Sequence, residues 1–380
     1  MPKILISAGE PSGDRYAAAL VESLRRRHPA LEFFGCAQPR MLAAGVRPVM
    51  DAAKLHVVGI FEVITHIPGI WAEYRRLIRA ADEEKPVLAI LTDSPDFNLR
   101  VARQLARRNI PVVYLVAPQA WAWRSGRTRQ MARDLRRLLC IFPFEEAWFR
   151  DRGVPAEYIG HPLAREVRRT VSTAEFRREL GIPESHSLVA LLPGSRPGEV
   201  RRHWPILREA VEKLKNRPIS FILGAVPSIG EQFFVNQMGS ASIQQPVKVI
   251  AGRTGDLLAA ADLALAASGT VTVEAALLGT PMVTFYRVNA ASWALGKLLV
   301  RTPYFTMANL IAGEKLVPEL MQSEATGSRL AAEAGRLLDS PASLEQMRAG
   351  LARVAMLLNT GHDPIERAAE IVSGMLTEHV

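Results

Sequence analysis

Short aliphatic runs bounded by turn residues alternate along this chain with longer amphipathic stretches. This alternation is typical of βα units that build a parallel sheet. In the N-terminal part it predicts a helix over 13–27 and strands over 3–7, 33–35, 87–92, 112–116 and 138–142. A second series predicts strands over 187–192, 220–223, 247–250, 263–266 and 282–286. The pattern therefore indicates two similar α/β halves, each built on a parallel sheet.

A polar segment over 160–186 separates the two halves, and we place the domain boundary near residue 170. The predicted parts are an N-terminal domain over 1–170, a C-terminal domain over 171–360, and a final helix within 361–380 that packs back on the N-terminal domain. A chain of 380 residues is long enough for two domains that each bury a core.

One amphipathic stretch carries apolar residues at helical spacing from Ile60 to Ile78, and Arg75 and Arg79 lie at its end. Pro68 is expected to break or kink this helix. Packing in a core explains such a stripe, and so does contact with a membrane surface, and both interpretations stay open. The candidate residues for membrane or acyl-chain contact are Ile60, Val63, Ile64, Ile67, Ile70 and Trp71.

Ligands of open parallel sheets bind beyond the carboxyl ends of the strands, so the loops after the strands are the first candidates for a site. The loop at 8–14 after the first strand contains two glycines and leads into a helix. It is either a ligand-binding loop or a helix start capped by Ser12 or Asp14. The loop at 92–98 carries Asp93 and Asp96, of which one is a candidate general base and Asp96 a candidate helix cap.

Two loops in the second half lead from a buried strand into a helix. Gly194, Ser195 and Arg196 offer backbone amides, a positive helix end and a guanidinium, which suit a diphosphate. The segment 268–274 has the same arrangement, and its Glu274 lies about one turn, roughly 6 Å, past Thr270. A carboxylate at that place is suited to accept both hydroxyls of a ribose. Two such loops favour a nucleotide site over two coincidental helix caps.

Charge and composition narrow the class of protein. Lys and Arg exceed Asp and Glu by 47 to 38, which predicts an anionic partner: a nucleic acid, a phosphorylated metabolite or an acidic membrane surface. The 48% hydrophobic and 22% charged residues exclude a mainly disordered chain. The two cysteines, Cys36 and Cys140, indicate neither a disulfide framework nor a cysteine metal site. The sequence shows no membrane-spanning stretch and no secretion signal. We therefore expect a cytoplasmic protein.

Taken together, the loops resemble the lipid-A-disaccharide synthases, a bacterial family of glycosyltransferases of the two-domain GT-B type. The resemblance spans nearly the whole chain, and the order and spacing of the motifs are more specific than any one of them. The matching segments are AGEPSGD at 8–14, QPRM at 38–41, DSPDFN at 93–98, WAWR at 121–124, FPFE at 142–145, IGHPL at 159–163, LLPGSR at 191–196, SGTVTVE at 268–274, PMVTFYR at 281–287 and ANLIAG at 308–313.

The resemblance implies two Rossmann-like domains with a nucleotide-binding cleft between them. It implies an inverting transferase that joins UDP-2,3-diacylglucosamine to 2,3-diacylglucosamine 1-phosphate, forms a β-1,6-linked disaccharide phosphate and releases UDP. Asp96 is implied as the general base, with Glu10 assisting. The residues implied to bind substrate or UDP are Ser12, Gly13, Asn98, Gly194, Ser195, Arg196, Ser268, Gly269, Thr270, Glu274, Arg287 and Asn309.

Neither a cofactor nor a metal ion is expected. The implied partners are the two diacylated substrates and the anionic cytoplasmic face of the inner membrane, with a homodimer as a further expectation and no nucleic acid. The sequence departs from the family pattern at Pro11, Ala117, Gln119 and Ala308, which puts details of acceptor binding in doubt. A non-hydrolysing UDP-sugar epimerase would share the architecture and the second-half site. A nucleic-acid-binding protein would explain the charge, but no recognisable binding module is present.

Overall fold

The structure is a computed structural model that describes residues 1–52, 60–227, 229–238, 247–290, 293, 294, 296, 300 and 302–377. Within that range the side chains of 60–67 and of Met238 are not described. The chain divides into two compact units: unit 1 comprises Met1–Pro162 and Leu358–Val380, and unit 2 comprises Leu163–Leu357. The sequence placed these divisions at 170 and 360 instead.

Unit 1 is built on a parallel sheet of seven strands in the order β3-β2-β1-β4-β5-β6-β7. The strands are β1 Lys3–Ala8, β2 Glu32–Cys36, β3 Arg47–Pro48, β4 Leu88–Thr92, β5 Val112–Leu115, β6 Arg137–Cys140 and β7 Ala156–Tyr158. The helices that alternate with them are α1 Pro11–Arg27, α2 Pro39–Ala43, α3 Ile60–Glu84, α4 Pro95–Ala106, α5 Ala120–Trp123, α6 Thr128–Asp134 and α7 Pro143–Arg150.

The central strands of unit 1 are covered by helices on both faces, so their side chains are apolar almost without alternation. Ile4, Leu5 and Ile6 of β1 have no exposed surface. The two strands that the sequence missed in this unit, β3 and β7, are short and lie at the two edges of the sheet. Edge strands are commonly short, and Pro48 is tolerated at such an edge because it need not donate to a neighbour.

Unit 2 contains a second parallel sheet of six strands in the order β10-β9-β8-β11-β12-β13. The strands are β8 Ser187–Leu192, β9 Ile219–Ala225, β10 Val247–Ala251, β11 Leu263–Ala267, β12 Met282–Tyr286 and β13 Glu319–Met321. The helices described in this part are α8 Leu163–Glu166, α9 Thr173–Glu179, α10 Pro197–Leu214, α11 Glu231–Met238, α12 Thr254–Ala260, α13 Thr270–Leu277, α14 Met307–Ala312, α15 Gly327–Leu338 and α16 Pro341–Leu358. The prediction of two α/β halves on parallel sheets is confirmed.

The last helix, α17 (Pro364–Thr377), belongs to unit 1. It packs on α1, where Arg26 and Arg27 both form ion pairs with Glu366 at 2.6 and 2.9 Å. At the other side of the helix, Arg367 pairs with Glu157 of β7 at 2.8 Å. The chain therefore returns to its first unit after completing the second.

Candidate functional site

The first group of candidate residues lies where β1 and β4 run side by side, at the point where the strand order of unit 1 reverses. The loops that follow two such neighbouring strands meet at the carboxyl edge of the sheet. Here they are joined by one carboxyl group. The amides of Gly9 and Glu10 donate to Asp93, with distances of 2.7 Å to Oδ1 and 3.0 Å to Oδ2.

The backbone around this carboxyl is in an unusual conformation. Asp93 and Ser94 both have positive φ, 50° and 37°, which costs free energy unless the surroundings hold it. The surroundings do so, because Tyr114 donates its hydroxyl to the carbonyl of Asp93 at 2.6 Å and Asn98 donates to the carbonyls of Thr92 and Asp93. Strain kept at such a loop is a common feature of functional sites.

Gly13 is needed for the same arrangement. A Cβ at Gly13 would occupy the position of the Asp93 carboxylate, so the absence of a side chain there makes room for the acid. The glycine that the sequence predicted to bind substrate therefore lies under Asp93 and is buried. In the structure Gly13 admits a carboxyl group, and its predicted contact with substrate stays a prediction.

The carboxyl of Asp93 differs electrostatically from an ordinary aspartate. Burial raises the pKa of Asp93 to about 7, against the opposing effect of the two amide hydrogen bonds, and the nearby charge of Glu10 raises it further. A carboxyl with a pKa near neutrality is suited to general acid or base chemistry. Glu10 itself is exposed and precedes α1, so Asp93 and Glu10 form a pair of adjacent acids at this edge.

Asp96, the predicted general base, lies in the first turn of α4 and is in a different situation. Its side chain is 68% exposed and forms ion pairs with Arg124, at 2.6 Å, and with Arg127. Both guanidinium groups contact the same oxygen, Oδ1, so this oxygen is already engaged by two cationic partners. Both partners belong to the arginine-rich segment that begins with the WAWR motif at 121–124.

Two other predicted residues of this loop region have structural partners. Asn98 is fully buried, and its Oδ1 accepts from the hydroxyl of Ser7 at 2.8 Å. Because its amide also donates to the two carbonyls already described, Asn98 holds the loop and presents no exposed surface to a substrate. Ser12 is exposed in the first turn of α1, and Asp14 accepts the amides of Arg40 and Met41 at the start of α2.

The second group of candidates surrounds a cavity of about 350 Å³ in unit 2. The loops after β8 and β11 lead to it, and these two strands are the neighbours at which the order of the second sheet reverses. Seven predicted binding residues line this cavity: Gly194, Ser195, Arg196, Ser268, Gly269, Thr270 and Glu274. The structure thus brings together residues from two loops that are more than 70 positions apart.

The two loops do not offer the same donors. After β8, the amides of Ser195 and Arg196 donate to Oε2 of Glu199 at 3.1 and 3.3 Å, so they are not free as the sequence suggested. Gly194 has a φ of 121°, and a Cβ there would lie 2.7 Å from the same Glu199 oxygen. At α13, by contrast, Thr270 and Val271 of the first turn line the cavity, so the positive end of this helix lies beside it.

His203 of α10 connects the two sides of this site and was not found from the sequence. It is fully buried, with Nδ1 2.7 Å from the carbonyl of Pro193 and Nε2 3.1 Å from the amide of Arg287. A neutral ring that donates from Nδ1 and accepts at Nε2 satisfies both contacts. Burial lowers the pKa of His203, which favours that neutral form. An isolated histidine on an apolar helix face carries no sequence signal for such a role.

Two further predicted residues lie outside the lining of the cavity. The side chain of Arg287 is exposed just after β12. Asn309 of α14 is fully buried, where its Oδ1 accepts the amides of Leu316 and Val317, both at 2.8 Å. Its Nδ2 donates to Oε1 of Glu319 at 2.9 Å. All its hydrogen-bonding capacity thus goes to anchoring β13, which does not support the prediction of direct sugar contact.

The predicted apolar stripe belongs to α3, which continues through Pro68 as one helix. Of the break or kink expected at Pro68, the break is therefore not observed. Among the candidate contact residues, the side chains of Ile60, Val63, Ile64 and Ile67 lie outside the described part of the structure. Ile70 is partly buried and packs against the core of unit 1, and its predicted acyl-chain contact stays a prediction. Trp71 is 46% exposed and stacks on Tyr74.

The described residues offer neither a membrane-spanning helix nor a cluster of metal ligands. None of the helices within those residues is long and apolar enough to cross a bilayer. The same residues contain no group of three or more His, Cys, Asp or Glu side chains placed to hold a metal ion.

The chain matches the family model described as Lipid-A-disaccharide synthetase over residues 4–362. It is 56% identical to the lipid-A-disaccharide synthase of Solibacter usitatus, over 99% of both chains. It is 41% identical to the enzyme of that name from Geobacter metallireducens, over 98% of this chain and 97% of the relative. The chain belongs to the lipid-A-disaccharide synthase family. It is therefore a glycosyltransferase, as the sequence motifs predicted.

Solved structures similar to this family member extend the comparison to the fold. The calicheamicin glycosyltransferase CalG4 has a TM-score of 0.61 at 16% identity, covering 99% of this chain and 98% of its own. The UDP-GlcNAc 2-epimerase of Neisseria meningitidis has a TM-score of 0.60 at 14% identity, covering 99% and 100%. At such identities the likeness concerns architecture alone. It confirms the α/β two-domain architecture predicted for a GT-B glycosyltransferase.

Proposed function

We propose that this chain transfers a 2,3-diacylglucosaminyl group from UDP to the 6-hydroxyl of 2,3-diacylglucosamine 1-phosphate. The observation that carries the proposal is the cavity of unit 2, where a guanidinium, a helix start and a carboxylate meet. These are the groups needed to hold a diphosphate and a ribose together. Membership of the lipid-A-disaccharide synthase family supports the class of reaction, and the cavity offers a place for its donor.

In the proposed donor complex, the diphosphate lies against the start of α13 and the Arg196 guanidinium. Arg196 is 77% exposed and 3.8 Å from Glu199, so its side chain is able to turn toward an anion. Glu274 accepts the ribose hydroxyls. As the bond between the sugar and the diphosphate breaks, the electron pair and negative charge pass to UDP, where the positive helix end and the guanidinium stabilise them.

The acceptor hydroxyl must lose its proton as its oxygen attacks the anomeric carbon. We assign this proton transfer to Asp93 in place of Asp96, because Asp93 has a raised pKa and forms no ion pair among the described residues. Glu10, adjacent to Asp93 and exposed, orients the acceptor. Attack on the face opposite the leaving UDP inverts the anomeric configuration and produces a β-linked disaccharide phosphate.

The acyl chains of both substrates favour work at a bilayer surface, since each buried methylene contributes about 0.8 kcal/mol. The exposed ring of Trp71 supports such a contact on unit 1. We therefore propose peripheral association with the cytoplasmic face of the inner membrane as part of the function.

The experiment that tests the reaction measures UDP release and lipid products from the diacylated donor, with and without the phosphorylated acceptor. We expect UDP release and a disaccharide phosphate when both substrates are present. Equal UDP release without acceptor would contradict a transferase. Conversion of the donor to an epimeric UDP-sugar, again without acceptor, would support the alternative of a non-hydrolysing epimerase.

A further inference from the structure

A basic surface on unit 1 has no role in the reaction proposed above. Its members are exposed arginines of α4, of the C-cap of α4 and of α6, and we call it the arginine surface: Arg100, Arg103, Arg107, Arg129 and Arg133. The first three follow one another at spacings of three and four, which places them on one face of α4.

Helix packing brings the arginines of α6 to the same surface. The two helices are joined by Gln130, whose Nε2 donates to the carbonyl of Leu99 at 2.7 Å. Arg103 and Arg107 of α4 line a cavity of about 330 Å³ together with Arg133 and Asp134 of α6. Three guanidinium groups therefore border one hollow that is large enough for a phosphate group.

Most of this charge is not neutralised within the protein. Among the described residues, Arg133 pairs with Asp134 at 2.7 Å, whereas the other four members of the arginine surface take part in none of the ion pairs. Exposed cations without acidic neighbours create a positive potential that attracts an anionic partner.

The arginine surface is continuous with the aromatic contact on α3. Tyr74 of α3 packs edge to face on Phe97 of α4, with 6.1 Å between the ring centroids. Tyr74 stacks on the exposed Trp71 at 4.9 Å between ring centroids, and Arg75 lies 5.4 Å from the Trp71 ring. An exposed tryptophan beside several exposed arginines is typical of proteins that bind at the interface of an anionic bilayer.

We propose that the arginine surface binds the phosphate groups of anionic phospholipids and holds unit 1 on a bilayer, with Trp71 entering the interface. The inference rests on the proposed function, because substrates with acyl chains are the reason for the enzyme to act at a bilayer. Each arginine near an anionic surface contributes separately, and the attraction falls within a Debye length. The surface thereby adds a salt-dependent component to the association through Trp71.

The test compares the full chain with the triple variant Arg100→Gln, Arg103→Gln and Arg107→Gln. Glutamine keeps helix propensity while removing the charge. Binding is measured by flotation with vesicles of phosphatidylethanolamine and phosphatidylglycerol at low and high salt. At about 1 kcal/mol per arginine, removal of three predicts an affinity loss on the order of 100-fold at low salt. Vesicles of phosphatidylcholine alone should bind both proteins weakly and equally.

A matched control removes the same charge from exposed positions of unit 2: Arg178→Gln, Arg208→Gln and Lys213→Gln. The control should keep wild-type vesicle binding. The proposal would be overturned if both triple variants lost vesicle affinity equally, or if the variant of the arginine surface bound like the wild type. It would also be overturned if wild-type binding did not depend on phosphatidylglycerol.

Turnover with detergent-dispersed substrates separates this proposal from the proposed function. The triple variant should transfer sugar at the wild-type rate in detergent. A wild-type chain that binds vesicles through the arginine surface but transfers no sugar would leave the surface intact and overturn the function. Sugar transfer at the full rate in detergent, together with equal vesicle binding by the wild type and the triple variant, would support the proposed function and overturn the proposal for the arginine surface.

Discussion

The two units place the same kind of loop at the same topological position and use it differently. In unit 1 the loops after β1 and β4 are joined by Asp93, which takes up the two amides that a ligand would otherwise meet. In unit 2 Glu199 occupies the amides after β8, while the loop after β11 opens on a cavity. The comparison teaches that a switch point supplies a location, and that the side chain filling it decides which backbone amides a ligand can still reach.

The largest effect is expected at the acid of unit 1. Asp93→Asn should lower turnover by about 10² to 10⁴, the usual contribution of a general base, while UDP affinity stays unchanged. The matched variant Asp96→Asn should lose less than about tenfold in rate, because its carboxylate is held by two guanidinium groups. Steady-state rates and UDP titrations measure both. The opposite ranking would restore Asp96 as the base.

The pH dependence of the rate should follow the same acid. Asp93 must be ionised to accept a proton, so kcat/KM should rise about tenfold per pH unit up to about 7 and then level off. The Asp96→Asn variant should show the same profile. A rate that is flat from pH 5 to pH 8 would rule out a titrating base of this kind.

Stability should change with pH in the opposite direction. Burial raises the pKa values of Asp93 and Glu145 to about 7, above the unfolded values of about 4. Their protonated forms stabilise the fold fully below pH 4, and this contribution is lost as the pH rises through 7. Denaturant unfolding of Asp93→Asn should therefore show a smaller decrease of the free energy of unfolding between about pH 4 and 7 than the wild type.

The glycines test the loop of unit 2. In Gly194→Ala, an alanine must adopt the positive φ of 121°, and its Cβ would lie 2.7 Å from a Glu199 oxygen. The substitution should therefore lower the free energy of unfolding by about 1–3 kcal/mol. Gly198→Ala, four residues on in α10, meets nothing within 4 Å and should be neutral or stabilising. Thermal or denaturant unfolding distinguishes the pair. Equal effects would mean that Glu199 does not constrain the loop.

The smallest effect is expected for the ribose contact. Glu274→Gln should raise the Kd of UDP roughly tenfold, the cost of weakening a hydrogen bond to a charged group. The rate at saturating donor should change little, because a ribose contact is alike in the ground and transition states. Calorimetry and saturation kinetics measure the two quantities, with Glu324→Gln as a control outside the cavity. A fall in rate without a change in Kd would contradict the assignment.

Much of the architecture could be predicted because buried parallel strands are local apolar runs. All five strands predicted in each half are present, with ends shifted by up to two residues. The strands that were missed, β3, β7 and β13, have two or three residues at sheet edges and exist because a longer neighbour offers hydrogen bonds. Nothing in their own composition distinguishes them from loops.

The candidate site divides in the same way. The sequence by itself determined the loops after β8 and β11 and the family, since a glycine, a cation and an acid at fixed spacing are local features. Only the tertiary structure decided which side chains those loops leave available. The side chains of Asn98 and Asn309 are buried, and Asp96 forms ion pairs with two arginines. Burial raises the pKa of Asp93. The sequence could not predict these features, because desolvation and the choice of partners depend on residues far apart in the chain.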